Sequence, residues 1–147
     1  MPRLVLYQPE IAANLGAAIR IAACFDTPLD VVEPCGFPWR AKDIDRVALD
    51  YSAQLARHAD FSTFKAQTPG RIVLLTTKAA VPYTSVTYRE DDLLLLGQES
   101  AGVPEDIHAL ADERVVIPMA PNARSLNLTV AGAVVLSEAI RQLNSAL

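Results

Sequence analysis

Cysteine and histidine are scarce, aromatic residues make up only 6% of the chain, and neither sign of charge dominates. The two cysteines, Cys24 and Cys35, form no C-x-x-C pair, and His58 and His108 have no second His or Cys in register. No zinc site or other metal is expected, and both thiols are expected to be free and buried or half-buried. No long apolar run is present. Apolar runs such as Leu93–Leu96 and Val130–Leu136, the second counting Gly132, fall far short of the ~18 residues of a spanning helix. The opening MPRLVLYQPE has neither the basic head nor the apolar stretch of a signal peptide. A cytoplasmic protein without membrane contact is the expectation.

A basic stripe is also missing. Residues 1–50 hold 5 basic and 7 acidic groups, residues 51–100 hold 5 and 5, and residues 101–147 hold 3 and 5, for a net charge of −4. If a polyanion binds, it must meet a few placed Arg and Lys side chains instead of a broad positive field. What the sequence does hold is apolar material. With 51% hydrophobic residues in 147 positions, the chain can build one compact domain, and disorder is excluded.

The segments alternate. Short apolar runs predict strands at Arg3–Tyr7, Leu29–Val32, Gln54–Arg57, Arg71–Thr76, Asp92–Leu96 and Val115–Ile117. Helical spacing predicts helices from Asn14, as N-cap, to about Phe25, and over Ala41–Leu49, Phe61–Ala66, Pro104–Leu110 and about Asn127–Leu143. Continuous apolar strands separated by helices imply an α/β fold, a mostly parallel sheet with helices on both faces. The last helix is apolar on nearly every side until Glu138, so it is either a central core helix or part of a dimer interface.

Three loops follow predicted strands, where open parallel sheets gather ligands. In the first, Asn14 and Gly16 open a helix and Arg20 lies among Ala17, Ala18, Ile19, Ile21, Ala22 and Ala23. Asn14 reads as a simple cap, and Arg20 is either snorkelling or held for an anion. In the second, Leu96-Gly97-Gln98-Glu99-Ser100-Ala101-Gly102-Val103-Pro104, Gly97 permits close approach of a ligand and Glu99 can accept hydrogen bonds. The same stretch also reads as a turn with Pro104 opening a helix. It is not G-x-G-x-x-G and lacks a P-loop lysine, which excludes dinucleotide and nucleoside-triphosphate motifs. In the third, Ile117 to Leu128, two prolines precede Arg124, Ser125 and Asn127 at the start of the apolar helix, which suits capping or an anion.

Taken in order, N-x-G-x-x-x-R, L-G-x-E-x-x-G-[VL]-P and I-P-M-x-P-x-x-R-S-[LM]-N-[LV] resemble the SPOUT class of RNA 2′-O-ribose methyltransferases. The likeness is greatest to its minimal single-domain bacterial branch. It extends over essentially the whole chain and includes Val5-Leu6-Tyr7-Gln8-Pro9-Glu10-Ile11, Glu33-Pro34-x-Gly36-Phe37, Leu49-Asp50-Tyr51 and Leu75-Thr76-Thr77-Lys78. Two departures stand out: Ala79-Ala80 follow Lys78 where the family has a glycine, and the last helix reads Thr129-Val130-Ala131-Gly132-Ala133.

The resemblance implies a single SPOUT-like domain over residues 1–147 with a C-terminal trefoil knot, a homodimer through the C-terminal helix region, and S-adenosylmethionine as methyl donor, with S-adenosylhomocysteine as product. It implies methylation of the ribose 2′-hydroxyl at the wobble nucleotide, cytidine or uridine 34, in the tRNA anticodon loop. By the same resemblance the cofactor contacts Leu75, Thr76, Gly97, Glu99, Gly102, Ile117, Met119, Ser125 and Leu126. Arg20, Ser125 and Asn127 fall at catalytic and RNA-positioning places. RNA contacts fall to Asn14, Arg20 and Arg124, and to Lys42 and Arg46, which also read as an ordinary solvated helix face. A guanidinium stays protonated, with a pKa above ~12, so Arg20 is expected to bind phosphate or to stabilise a developing alkoxide instead of acting as a literal base. The alternatives are an enzyme of the same fold acting on another tRNA position or on rRNA, and a non-catalytic nucleotide-binding module.

Overall fold

Each apolar run finds a neighbour pointing the same way. A computed structural model describes residues 1–48, 54–78, 80–123 and 125–144. In it β1 (Arg3–Tyr7), β2 (Leu29–Val32), β3 (Leu55–His58), β4 (Arg71–Leu75), β5 (Val81–Pro82), β6 (Asp92–Gly97) and β7 (Glu113–Val116) form one sheet in the order β3-β2-β1-β6-β4-β7-β5. Every pairing is parallel. The helices are α1 (Ala12–Cys24), α2 (Ala41–Ala48), α3 (Phe61–Gln67), α4 (Glu105–Leu110) and α5 (Leu128–Asn144).

Side chains alternate across the strands, so consecutive apolar residues serve two cores. Leu4, Leu6, Leu29, Val31, Leu94 and Leu96 pack with Leu15 and Ile19 of α1, Ile44 of α2, and Val135 and Leu136 of α5. Val5, Tyr7, Val32, Leu93 and Leu95 face the other way, onto Phe64 of α3 and Ile107 of α4. A sheet covered on both faces is what made β1, β4 and β6 read as unbroken apolar runs after their first residue.

Several boundaries move. Helix α1 starts at Ala12 with Ile11 at its N-cap position, so Asn14 is not a cap but lies inside the helix. Strand β3 ends on His58, whose backbone sits beside Val32 and whose Nε2 lies 2.8 Å from the buried Asp30 carboxylate. Strand β7 begins two residues before the apolar run, at Glu113, because Arg114 finds acceptors in the carbonyls of His108 and Ala109. Strand β5, unexpected from the sequence, contains Pro82 and occupies an edge, where a residue without N–H costs the ladder least. Leu49-Asp50-Tyr51, Ala79 and Arg124 lie outside the described residues. No helix among the described residues is long and apolar enough to cross a membrane.

The thiols differ from the expectation: Cys24 is exposed at the end of α1, and only Cys35 is half-buried. Burial first, and the nearby Glu33 carboxylate next, push the Cys35 thiol up to about 11. Because the thiolate is the reactive form, titration of the native protein with Ellman's reagent at pH 8 is expected to show one fast thiol. Mass spectrometry should place that label on Cys24. Equal labelling of Cys35 would contradict this account.

Candidate active site

In a wholly parallel sheet all carboxyl ends lie at one edge of the molecule, and the segments leaving them meet there. The ends of β4, β6 and β7 and the first turn of α5 enclose a cleft of about 630 Å³, within the ~300–1,000 Å³ usual for small-molecule sites. Gly97 closes β6 with φ +132°, and a Cβ there would lie 2.3 Å from the Tyr7 carbonyl oxygen. Only glycine fits both the conformation and the contact. The chain then turns back on itself, with the Gly102 N–H donating to the Gln98 carbonyl at 3.0 Å, and this turn forms one wall of the cleft.

A directed chain of hydrogen bonds joins the walls. The Asn127 Oδ1 accepts from the N–H groups of Thr129 (2.9 Å) and Val130 (3.2 Å), capping α5. Its Nδ2 must then donate, and it does so to the Asn14 Oδ1 at 3.0 Å. Asn14 donates in turn from Nδ2 to the Glu99 Oε1 at 3.1 Å, and the other Glu99 oxygen accepts from the Glu10 N–H at 2.8 Å. The Thr129 hydroxyl donates to the Asn14 carbonyl at 3.0 Å. Helix α1, helix α5 and the turn after β6 are thus fixed to one another through polar groups. Asn14 is buried in the process, at 7% exposure. On the far wall the His108 Nε2 donates to the Lys78 carbonyl at 3.2 Å, tying α4 to the segment after β4.

With this geometry in place, comparison with known proteins is decisive. Residues 1–137 match the SpoU rRNA Methylase family. A tRNA (cytidine(34)-2′-O)-methyltransferase of Beijerinckia indica is 50% identical over 97% of this chain and 92% of its own length. The enzyme of that name from Escherichia coli K12 is 42% identical over 97% and 94%. The chain belongs to the SpoU rRNA Methylase family.

The SpoU fold is reproduced closely. A solved structure described as giving insight into the 2-OH methylation of C/U34 on tRNA superposes with a TM-score of 0.94 at 38% identity, covering 99% of this chain and 97% of that one. The SpoU methyltransferase AviRb of Streptomyces viridochromogenes, solved in complex with AdoMet, gives 0.83 at 26% identity over 99% and 61%.

Of the residues singled out in the sequence, Leu75, Thr76, Gly97, Glu99, Gly102, Ile117, Met119, Ser125, Leu126, Asn14 and Asn127 all line the one cleft. Arg20 does not; it is exposed on α1. Lys42 and Arg46 are exposed on α2, also away from the cleft lining, and Arg46 lies 3.6 Å from Asp43. Ser100 and His108 also line the cleft and Glu10 bonds to its wall, roles that no periodicity in the sequence marks.

Both Glu99 oxygens accept, so only a carboxylate completes the chain. Glu99→Gln would set an amide NH2 against another donor, and Asn14→Asp would set a second carboxylate against the first. Each substitution is expected to cost ~1–3 kcal/mol, the range for a polar group left without its partner, read as a lower urea midpoint. A midpoint unchanged in both variants would refute the directed chain.

Proposed function

We propose that this SpoU family member methylates the ribose 2′-hydroxyl of the tRNA wobble nucleotide, cytidine or uridine 34, with S-adenosylmethionine as donor. The observation that carries the reading is the cleft at the ends of β4, β6 and β7, which gathers residues from all three recognised motifs. Its composition suits the donor. Among the described lining residues Glu99 and Glu105 outnumber Lys78, and no glycine-rich phosphate cradle is present. A ligand bearing sulfonium and ammonium charge fits such a lining better than a polyphosphate does. Leu75, Ile117, Met119 and Leu126 offer apolar contact, and Gly97 lets a ligand lie against the backbone.

S-Adenosylmethionine supplies a methyl group already activated on sulfur. The chain must bring a ribose hydroxyl in line with that carbon and accommodate the negative charge that grows on oxygen as its proton leaves. In this reading Ser125 and Asn127 orient the groups at the mouth of α5. Arg20, permanently charged, binds a substrate phosphate or stabilises the developing alkoxide, and its fork suits oxygen better than an ammonium would. Arg124, Lys42 and Arg46 complete the RNA contacts, and Asn14, buried between Glu99 and Asn127, serves them by holding the cleft wall instead of touching RNA.

Two structural elements belong to the same reading. The first is a C-terminal trefoil knot, an exception to the rule against threaded chains. It is supported by a path that runs from β4 to the edge strand β5, returns as β6 on the inner side of β4, and re-enters between β4 and β5 as β7. The second is a homodimer through the C-terminal helix region, supported by Val130 at 48% exposure in the first turn of α5, Leu126 at 39% just before it and Ile11 at 48% at the N-cap of α1. The enzyme works in the cytoplasm, on the anticodon loop.

The purified protein is expected to transfer labelled methyl groups to tRNA transcripts with a pyrimidine at position 34, and the mark should map to that ribose. Labelling of rRNA fragments instead would overturn the substrate. Arg20→Ala and Arg20→Lys are both expected to lose about a hundredfold in turnover while cofactor binding stays intact. Near-normal turnover in Arg20→Lys would defeat the role given to the guanidinium fork.

The dimer has its own test. Light scattering should give about twice the 15.9 kDa chain mass for the wild type, and Val130→Glu should shift the population to monomer. A monomeric wild type would remove the dimer from the proposal.

A further inference from the structure

Glu10 lies outside the three motifs and outside the cleft lining, yet several polar contacts of the turn after β6 converge on it. Its carboxylate accepts the Ser100 N–H at 2.9 Å and the Ser100 hydroxyl at 2.8 and 3.0 Å. Its own N–H donates to the Glu99 carboxylate at 2.8 Å. The two loops therefore cross-link reciprocally: each gives a carboxylate to the other's backbone. Ser100 and Glu99 both line the cleft, so this double link sets where that wall stands.

The anchor is itself held. Gln8 leaves β1 with φ 43°, in the left-handed region that a residue with a side chain rarely adopts. Its side-chain oxygen accepts from the Gln98 Nε2 at 3.2 Å. The Gly36 N–H donates to the Pro9 carbonyl at 2.9 Å. A Cβ at Gly36 would lie 3.0 Å from the Glu10 Cα, so the segment after β2 presses directly on Glu10 from behind. Strain retained at Gln8, and close packing two residues on at Glu10, are the marks of a loop held for position. Glu10 contributes to neither apolar core, so its contacts serve the loop and not the packing of the sheet. The Ser100 backbone N–H, and then its hydroxyl, hold the Glu10 carboxyl below the usual carboxylate range, so it is ionised at working pH.

We infer that Glu10 is a positioning residue for methyl transfer, clamping the 98–102 turn so that the cleft is pre-shaped for the cofactor. The inference rests on the cleft being the S-adenosylmethionine site. A clamp that acts on binding geometry, and not on the reacting atoms, changes cofactor affinity far more than the rate at saturation.

The test compares wild type with Glu10→Ala, Glu10→Gln and Ser100→Ala, by steady-state kinetics on tRNA and by calorimetry with S-adenosylhomocysteine. Glu10→Ala is expected to raise the cofactor KM and the product Kd about tenfold, the scale of one lost charge-assisted hydrogen bond, with kcat within about twofold and the melting temperature little changed. Glu10→Gln, whose amide oxygen still accepts the Ser100 N–H, is expected to recover most of the affinity. Ser100→Ala should weaken binding mildly alone and add nothing in the Glu10→Ala background. An unchanged KM and Kd in Glu10→Ala, or a fall in kcat and melting temperature without a change in KM, would overturn the clamp while leaving the cleft assignment standing. Failure of the wild type to bind either ligand would overturn the cleft assignment and the clamp with it.

Discussion

The first-turn amides of α5 set the direction of every polar contact that follows. A helix start leaves N–H groups that need acceptors, and the Asn127 oxygen takes those of Thr129 and Val130. From there no choice remains: the Asn127 nitrogen must face an oxygen, which Asn14 supplies, and the Asn14 nitrogen must face another, which Glu99 supplies. The series ends on a group that accepts at both atoms, closing on the Glu10 amide. Asparagine at two positions and a carboxylate at the third are thus a single chemical requirement, and exchanging oxygen for NH2 at any link leaves two donors facing each other.

That chain spans most of the sequence, since Asn127 and Asn14 stand 113 residues apart and Asn14 and Glu99 stand 85 apart. Contacts so distant become favourable only when something else has already closed the loops. The parallel sheet does this. Leu4 beside Leu29 and Leu94, and Leu74 beside Leu95, align β2, β1, β6 and β4 in register through apolar pairs. All the carboxyl ends then lie together before any polar link is made. The core supplies the free energy, and the polar links select the geometry.

This division also explains what the sequence made legible. Strands β1, β4 and β6 could be read because burial on two faces demands unbroken apolar runs, whereas β2 carries the buried Asp30 within its run. The first half of β7 could not, since Glu113 and Arg114 resemble a turn until α4 offers carbonyls to the guanidinium. Asn14 showed the right chemistry but the wrong role, because locally it reads as a cap and only residues 99 and 127 reveal its partners. Arg20, Lys42 and Arg46 could be named from motif and charge, but their position outside the cleft depends on how α1 and α2 turn on the sheet. Glu10 and Ser100 sit in loops without periodicity, where only tertiary contact shows their purpose.

On the proposed reading the protein must bind two ligands of opposite charge, a cationic cofactor and a polyanionic RNA. The described surface separates them, with Glu99 and Glu105 at the cleft and Arg20, Lys42 and Arg46 exposed on α1 and α2. A chain of net charge −4 has little general attraction for RNA, so each phosphate contact must be placed, and a handful of cations in one copy gives only a shallow hold. A second copy doubles the number available to one anticodon stem and loop. The exposed apolar side chains at the start of α5 therefore matter to more than assembly. In the proposed dimer they would bring a second set of placed cations to the same RNA, so that the acidity that suits the cofactor site opposes the grip on RNA less.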